Sequence, residues 1–150
     1  MKTILFVCTG NSCRSVMAEY LLKERLKGRS DVDVLSAGTG VFLQASASSE
    51  TIAVLSRRGI DASAHRAKPI TSILLHKADL ILVMTRNQRQ QVLEWAPEVE
   101  NRVYQVREFD EQEDRGLDLD IPDPIGRSVE TYEECAYLIE RALKKIIKLI

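Results

Sequence analysis

The chain has 150 residues, 45% hydrophobic and 29% charged, with a formal net charge of −1. That length suits a single domain, 1–150, able to bury a full core. The near-neutral balance excludes a general electrostatic attraction to nucleic acid or to an anionic membrane, so any anion binding needs a local site.

Residues 3–8 form a continuous apolar run suited to a central buried strand. Met1-Lys2-Thr3 and the short run behind it are too brief for a signal-peptide core. No segment approaches eighteen consecutive apolar residues, which excludes a membrane-spanning helix. A cytoplasmic location is expected, where three cysteines read as catalytic or redox residues before they read as a disulfide framework. Residues 15–27 show helical period, with Met17, Leu21 and Leu22 on one side and Gly28 as a stop. Val32 to Ala37 is a second strand, ended by Gly38 and Gly40. Ser49 to Arg58 reads as a helix capped by Ser48 or Ser49 and stopped by Gly59. A short helix is expected over 70–76, and a third buried strand over Asp79–Met84. Residues 86–95 form a helix closed by Pro97, with Trp95 packing at its end, and Arg102 to Val106 is a fourth, shorter strand. The acidic stretch 110–128, with Gly116, Pro122, Pro124 and Gly126, is a long loop of the kind that forms lids. Residues 129–149 make a terminal amphipathic helix with Leu138, Leu143, Ile146 and Ile147 as core contacts. Strand-like and helix-like segments alternate, which argues for a three-layer α/β domain: four parallel strands and about five helices, covering both faces.

The run Cys8-Thr9-Gly10-Asn11-Ser12-Cys13-Arg14-Ser15 carries the chemistry. It lies where the first strand ends and the first helix begins, where ligands bind in such sheets. A loop of this kind aims backbone N–H groups and a helix N-terminus at one point, which makes an anion site. A cysteine over such a site is held as the reactive thiolate. Arg14 adds a planar fork that matches two phosphate oxygens. Nucleophile and cradle together imply phosphoryl transfer through a phosphocysteine. Gly10 and Asn11 are expected to supply positive φ, with the Asn11 side chain pinning the loop. Ser15 is placed to donate to the Cys8 sulfur, a role compatible with helix capping.

A leaving group needs a proton, and a carboxylic acid within hydrogen-bond reach supplies it. Asp123, before Pro124 in the long loop, is the candidate, although Asp-Pro is also an ordinary turn pair. Asp118 and Asp120 read as solvated loop charges. So do Arg57-Arg58 and Lys144-Lys145, as solvated helix faces. His65 and His76 suit packing or polar structural roles rather than a metal site. Cys135, spaced with Leu138 and Ile139, reads as buried and inert.

With Cys-x5-Arg-Ser at the N-terminus and the body Thr-Gly-Asn-Ser-Cys, the chain resembles the low-molecular-weight protein tyrosine phosphatases over its whole length. The resemblance implies the strand order 2-1-3-4. It implies Cys8 as nucleophile, Thr9, Gly10, Asn11, Ser12, Cys13, Arg14 and Ser15 around the phosphate, and Asp123 as general acid. It also implies a protective disulfide between Cys8 and Cys13. No metal or other cofactor is required. Phosphorylated proteins are the expected partners, with no nucleic acid and no membrane, for a monomeric enzyme. The tyrosine pair that follows the Asp-Pro in tyrosine-directed members is absent. The segment Ile125-Gly126-Arg127-Ser128, followed by Tyr132, is more similar to the bacterial protein arginine phosphatases. Those carry threonine at the Ser12 position, and Ser12 keeps the hydroxyl but not the methyl. Ser12 and Phe42 are the expected pocket residues, Phe42 stacking on a guanidinium or a phenyl ring equally well. Phosphoarginine is thus the expected substrate, with phosphotyrosine as the alternative. A thiol-linked arsenate reductase would need further cysteines in 79–100, which holds none. A non-catalytic phosphate-binding module would be free to lose Cys8 or Asp123.

Overall fold

A computed structural model describes residues 1–110 and 118–150, so part of the long acidic loop, including Gly116, lies outside the described residues. The elements in order are β1 (Lys2–Cys8), α1 (Arg14–Arg25), β2 (Val32–Gly38), α2 (Ser49–Ser56), α3 (Ser72–Lys77), β3 (Leu80–Val83), α4 (Arg86–Trp95), β4 (Val103–Gln105) and α5 (Val129–Leu149). The four strands form one parallel sheet in the order β2-β1-β3-β4, as the resemblance implied.

Alternation along β1 explains the layers. Ile4, Phe6 and Cys8 point into a core shared with α1, α2 and α5. Leu5 and Val7 point into the opposite core with Leu75 of α3 and Val92 of α4. A strand buried on both faces reads as an unbroken apolar run, which is why residues 3–8 look as they do. β1 pairs with β2 residue for residue, from Lys2–Val32 to Cys8–Gly38. That register brings the ends of both strands level beneath the Cys8 loop.

Side chains fix the helix starts. Ser48, Thr71 and Thr85 each accept a hydrogen bond from the backbone N–H three residues on. Gly28 and Gly59, at φ 89° and 75°, end the first two helical segments in the left-handed region.

Four details differ from expectation. The fourth strand is shorter because 3-10 turns at Pro97–Arg102 and Val106–Phe109 claim both its ends. Trp95 is 55% exposed, since buried Ala96 takes the inward position where α4 stops. Leu138 stays outside the core, because the inward stripe of α5 runs through Tyr132, Cys135, Ala136, Ile139, Ala142, Leu143 and Ile146. Arg57 and Arg58 are not merely solvated: Arg58 lies 2.9 Å from Glu133 and 3.0 Å from Glu140, with Arg57 3.3 Å from Glu133. These pairs tie the end of α2 to α5. Among the described residues, no helix is long and apolar enough to cross a membrane.

Leu143 is fully buried against α1 and α2, whereas Leu149 at the end of the same helix is exposed. Leu143→Ala is expected to lower the unfolding free energy by about 2–5 kcal/mol in denaturant titration. Leu149→Ala is expected to change it by no more than about 0.5 kcal/mol.

Candidate active site

Between Cys8 and Arg14 the backbone makes a tight arc whose carbonyls are engaged from outside. Cys8 O accepts from Thr39 N at 2.9 Å, Thr9 O from Gly40 N at 3.0 Å, and Ser12 O from Ser48 N at 3.0 Å. None of the N–H groups of residues 9–13 donates to another described residue. Those amides and the start of α1 are what an anion above Cys8 would meet. Gly38 is required beside this arc: a Cβ there would lie 2.4 Å from Thr9 O.

Asn11 holds the arc in shape. It is the one non-glycine residue with positive φ among the described residues, at 50°, and Gly10 does not share that conformation. Its buried side chain donates through Nδ2 to Ser15 Oγ at 2.8 Å and Ser36 Oγ at 2.9 Å, and Oδ1 accepts from Lys68 N at 3.1 Å. Its carbonyl lies 3.0 Å from His65 Nε2. A carbonyl only accepts, so that nitrogen carries the proton. Ser36 Oγ donates onward to Glu19, which pairs with Lys23. Ser15 Oγ lies 2.9 Å from Cys8 Sγ. Having accepted from Asn11, that hydroxyl has its own hydrogen available for the sulfur. Ser15 is the second residue of α1 and caps nothing.

Arg14 is buried and donates through Nη1 to Ile121 O at 2.8 Å, while Nη2 stands 3.9 Å from Asp123 Oδ2. Ile121 is itself buried, and its N–H donates to the carbonyl of Met84, the residue just past β3, at 2.9 Å. Asp123, its side chain 53% exposed, accepts from Ile125 N at 3.1 Å in a local turn. The acid-bearing loop is therefore fixed to the sheet two residues before its carboxylate. A buried cysteine sulfur, a loop of undonated amides, a buried guanidinium and an accessible carboxyl group stand together, a set suited to attack on phosphorus with proton delivery to the leaving group.

The model of the low molecular weight phosphotyrosine protein phosphatases matches residues 3–150. The chain belongs to that family. It is 38% identical over 143 residues to a probable low molecular weight protein-tyrosine-phosphatase, EpsP, of Ralstonia nicotianae, covering 95% of this chain and 92% of that one. It is 36% identical over 148 residues to a protein-arginine-phosphatase of Geobacillus stearothermophilus, covering 95% of each. Among solved structures, the low molecular weight protein tyrosine phosphatase of T. tengcongensis superposes with a TM-score of 0.90 at 35% identity, covering 100% of both chains.

In this phosphatase the whole predicted loop and Asp123 do come together. Phe42 is 94% exposed on the 39–48 segment, whose ends are bonded to the Cys8 loop. Cys13 points its thiol toward Ser48 Oγ at 3.5 Å and Tyr132 OH at 3.6 Å. Burial, reinforced by the Cys13 contact, pushes the Tyr132 hydroxyl up to about 12. All three cysteines are free. Burial likewise pushes the Cys135 thiol up to about 11, which agrees with an inert core role. Asp120 is not a solvated charge: it accepts from Arg86 N at 2.8 Å and Gln105 Nε2 at 2.9 Å. Sequence reasoning missed Glu19, Ser36 and Gln88. Gln88 is buried, accepts from Met84 N and Thr85 N, and donates to Thr9 Oγ1 at 3.1 Å. The signal for Ser36 was a hydroxyl inside an otherwise apolar strand end.

Asn11→Ala removes three side-chain hydrogen bonds and leaves a Cβ-bearing residue without the local bonding that favours positive φ. The expected loss of stability is about 2–4 kcal/mol, at about 1 kcal/mol per bond. Inorganic phosphate should also bind more weakly, read by isothermal titration calorimetry.

Proposed function

We propose that this phosphatase hydrolyses phosphoarginine on proteins, as a cytoplasmic monomer, through a phosphocysteine intermediate. Cys8 Sγ attacks phosphorus while the phosphoryl oxygens lie on the loop amides and the free donors of Arg14. The P–N bond breaks, and Asp123 gives its proton to the departing guanidine nitrogen. Asp123, now a carboxylate, takes a proton from water that attacks phosphorus. The P–S bond breaks, and Ser15 donates to the leaving thiolate.

The observation that carries the substrate assignment is a hydroxyl residue, Ser12, in the arc, its Oγ 3.5 Å from Cys13 Sγ, together with the lack of a tyrosine pair after Pro124. A guanidinium needs polar partners, and a branched apolar residue at position 12 would leave it unpaired. Half-exposed Asp123 can accept from that guanidinium before it protonates the leaving nitrogen. The similarity to the Geobacillus protein-arginine-phosphatase supports this reading. Phosphotyrosine is the second reading, favoured by the similarity to EpsP.

Cys13 extends the proposal to redox protection. Peroxide converts the Cys8 thiolate to a sulfenic acid. Cys13 then attacks that sulfur, forming the disulfide and releasing water.

Parallel assays on phosphoarginine and phosphotyrosine peptides test the proposal. The expected result is a higher kcat/KM for phosphoarginine, no turnover by Cys8→Ser, and kcat lowered about 10²–10⁴-fold by Asp123→Asn. A preference for phosphotyrosine would overturn the substrate assignment; turnover by Cys8→Ser would overturn the mechanism. After peroxide treatment, wild type should regain activity with dithiothreitol, while Cys13→Ser should lose it permanently.

A further inference from the structure

One wall of the catalytic mouth is built from segments 39–48 and 62–69. The first holds no charged residue and exposes Phe42 and Leu43, at 94% and 80%. The second carries Arg66 and Lys68 and no carboxylate. The two are joined where Ala67 N donates to Ala45 O at 2.8 Å. Both are fixed to the catalytic loop, through Lys68 N on Asn11 Oδ1 at 3.1 Å and Ser48 N on Ser12 O at 3.0 Å.

Neither cation on this wall is paired with a carboxylate among the described residues. The Lys68 ammonium makes no hydrogen bond or ion pair with the described residues, and the Arg66 guanidinium donates only to the carbonyls of Ser63 and His65. On the helices, Arg25, Arg57 and Arg58 are all matched with glutamates. Across from this wall stands Asp123, whose carboxylate is 3.9 Å from Arg14 Nη2. The wall on the β2 side is thus cationic and apolar.

We infer that the 39–48/62–69 wall receives the substrate chain beside the phosphorylated residue and selects an acidic residue next to an apolar one. This rests on the protein phosphatase reading of the Cys8 site. The carboxylate lies against Lys68 and Arg66, and the apolar side chain covers Phe42 and Leu43. Rim charges of this kind act on encounter and register and are screened by salt.

The test uses phosphoarginine and phosphotyrosine peptides, each in two versions with Glu-Leu or Gln-Leu beside the phosphorylated residue. The readout is the Glu/Gln ratio of kcat/KM within each protein, so that a general loss of activity or folded fraction cancels. The same ratio in affinity for Cys8→Ser, by fluorescence anisotropy with labelled peptides, needs no turnover. Wild type should give a ratio of about fivefold, typical of one or two exposed charge pairs, falling toward one at about 0.5 M salt. Lys68→Met should bring it close to one, and Arg66→Glu with Lys68→Glu should invert it. A ratio near one in wild type, or an unchanged ratio in the doubly reversed variant, would overturn the inference. If no peptide is turned over, the phosphatase reading fails, and the anisotropy ratio still decides the docking surface. Absence of binding by every peptide overturns that as well.

Discussion

A loop can offer its N–H groups to an anion only if its carbonyls are satisfied elsewhere, because buried backbone groups are costly when unpaired. That constraint organises this molecule. The carbonyls of Cys8, Thr9, Asn11 and Ser12 are taken by Thr39, Gly40, His65 and Ser48. The segments supplying those donors are in turn placed by β2 and by the cap of α2. Asn11 completes the arrangement, since its left-handed backbone turns the arc and its amide ties the arc to Ser15, Ser36 and Lys68. Asparagine tolerates that conformation better than other residues with a Cβ, and it brings the donors that glycine lacks. The cradle is therefore a property of three neighbouring segments as much as of the eight residues that line it.

Arg14 links this cradle to the acid. One of its five donors is spent on Ile121 O, which sets the loop carrying Asp123. Nη2 faces the Asp123 carboxylate, which stands 3.9 Å away, too far for a hydrogen bond. A buried guanidinium with so loose a counter-ion has unmet demand for negative charge. On the proposed mechanism an incoming phosphoryl group meets that demand and fills the space between Cys8 and Asp123. Binding and chemical alignment thus share one side chain, so Lys at position 14 would keep the charge and lose both the fork and the Ile121 link.

The central place of β1 and the strand-to-helix junction that bears Cys8 were legible because they rest on local patterns: an apolar run, a glycine-containing loop, a helical period; the sheet order came from the family resemblance and not from any local pattern. That Asp123 stands beside Arg14 followed from the family resemblance, since its Asp-Pro pair alone reads as an ordinary turn. Contacts made by residues distant in sequence were not legible. Gln88 reaches Thr9 from seventy-nine positions away, and Ser36 reaches Asn11 from twenty-five. Neither sits at a spacing that any periodicity marks. Asp120 looked like one more loop charge, because its donors, Arg86 N and the Gln105 amide, become neighbours only when β3 and β4 align. Leu138 erred for a local reason, lying one position off a stripe that the apolar pattern of α5 leaves broad.

The division between phosphate end and leaving-group end explains why relatives of two specificities match this chain almost equally, at 38% and 36% identity. The phosphate is the same group in either substrate, so on the proposed mechanism the arc, Arg14, Asp123 and the supporting network serve both without change. On the proposed function, discrimination falls to the positions assigned to the pocket, Ser12 in the arc and Phe42 on one wall. A family-wide identity averages over 150 residues and is insensitive to two. One hydroxyl against a branched apolar side chain outweighs many matched core positions, since a buried polar group left without a partner costs about 1–3 kcal/mol, up to two orders of magnitude in selectivity. Specificity in this fold therefore resides in the chemistry of the mouth and not in overall similarity.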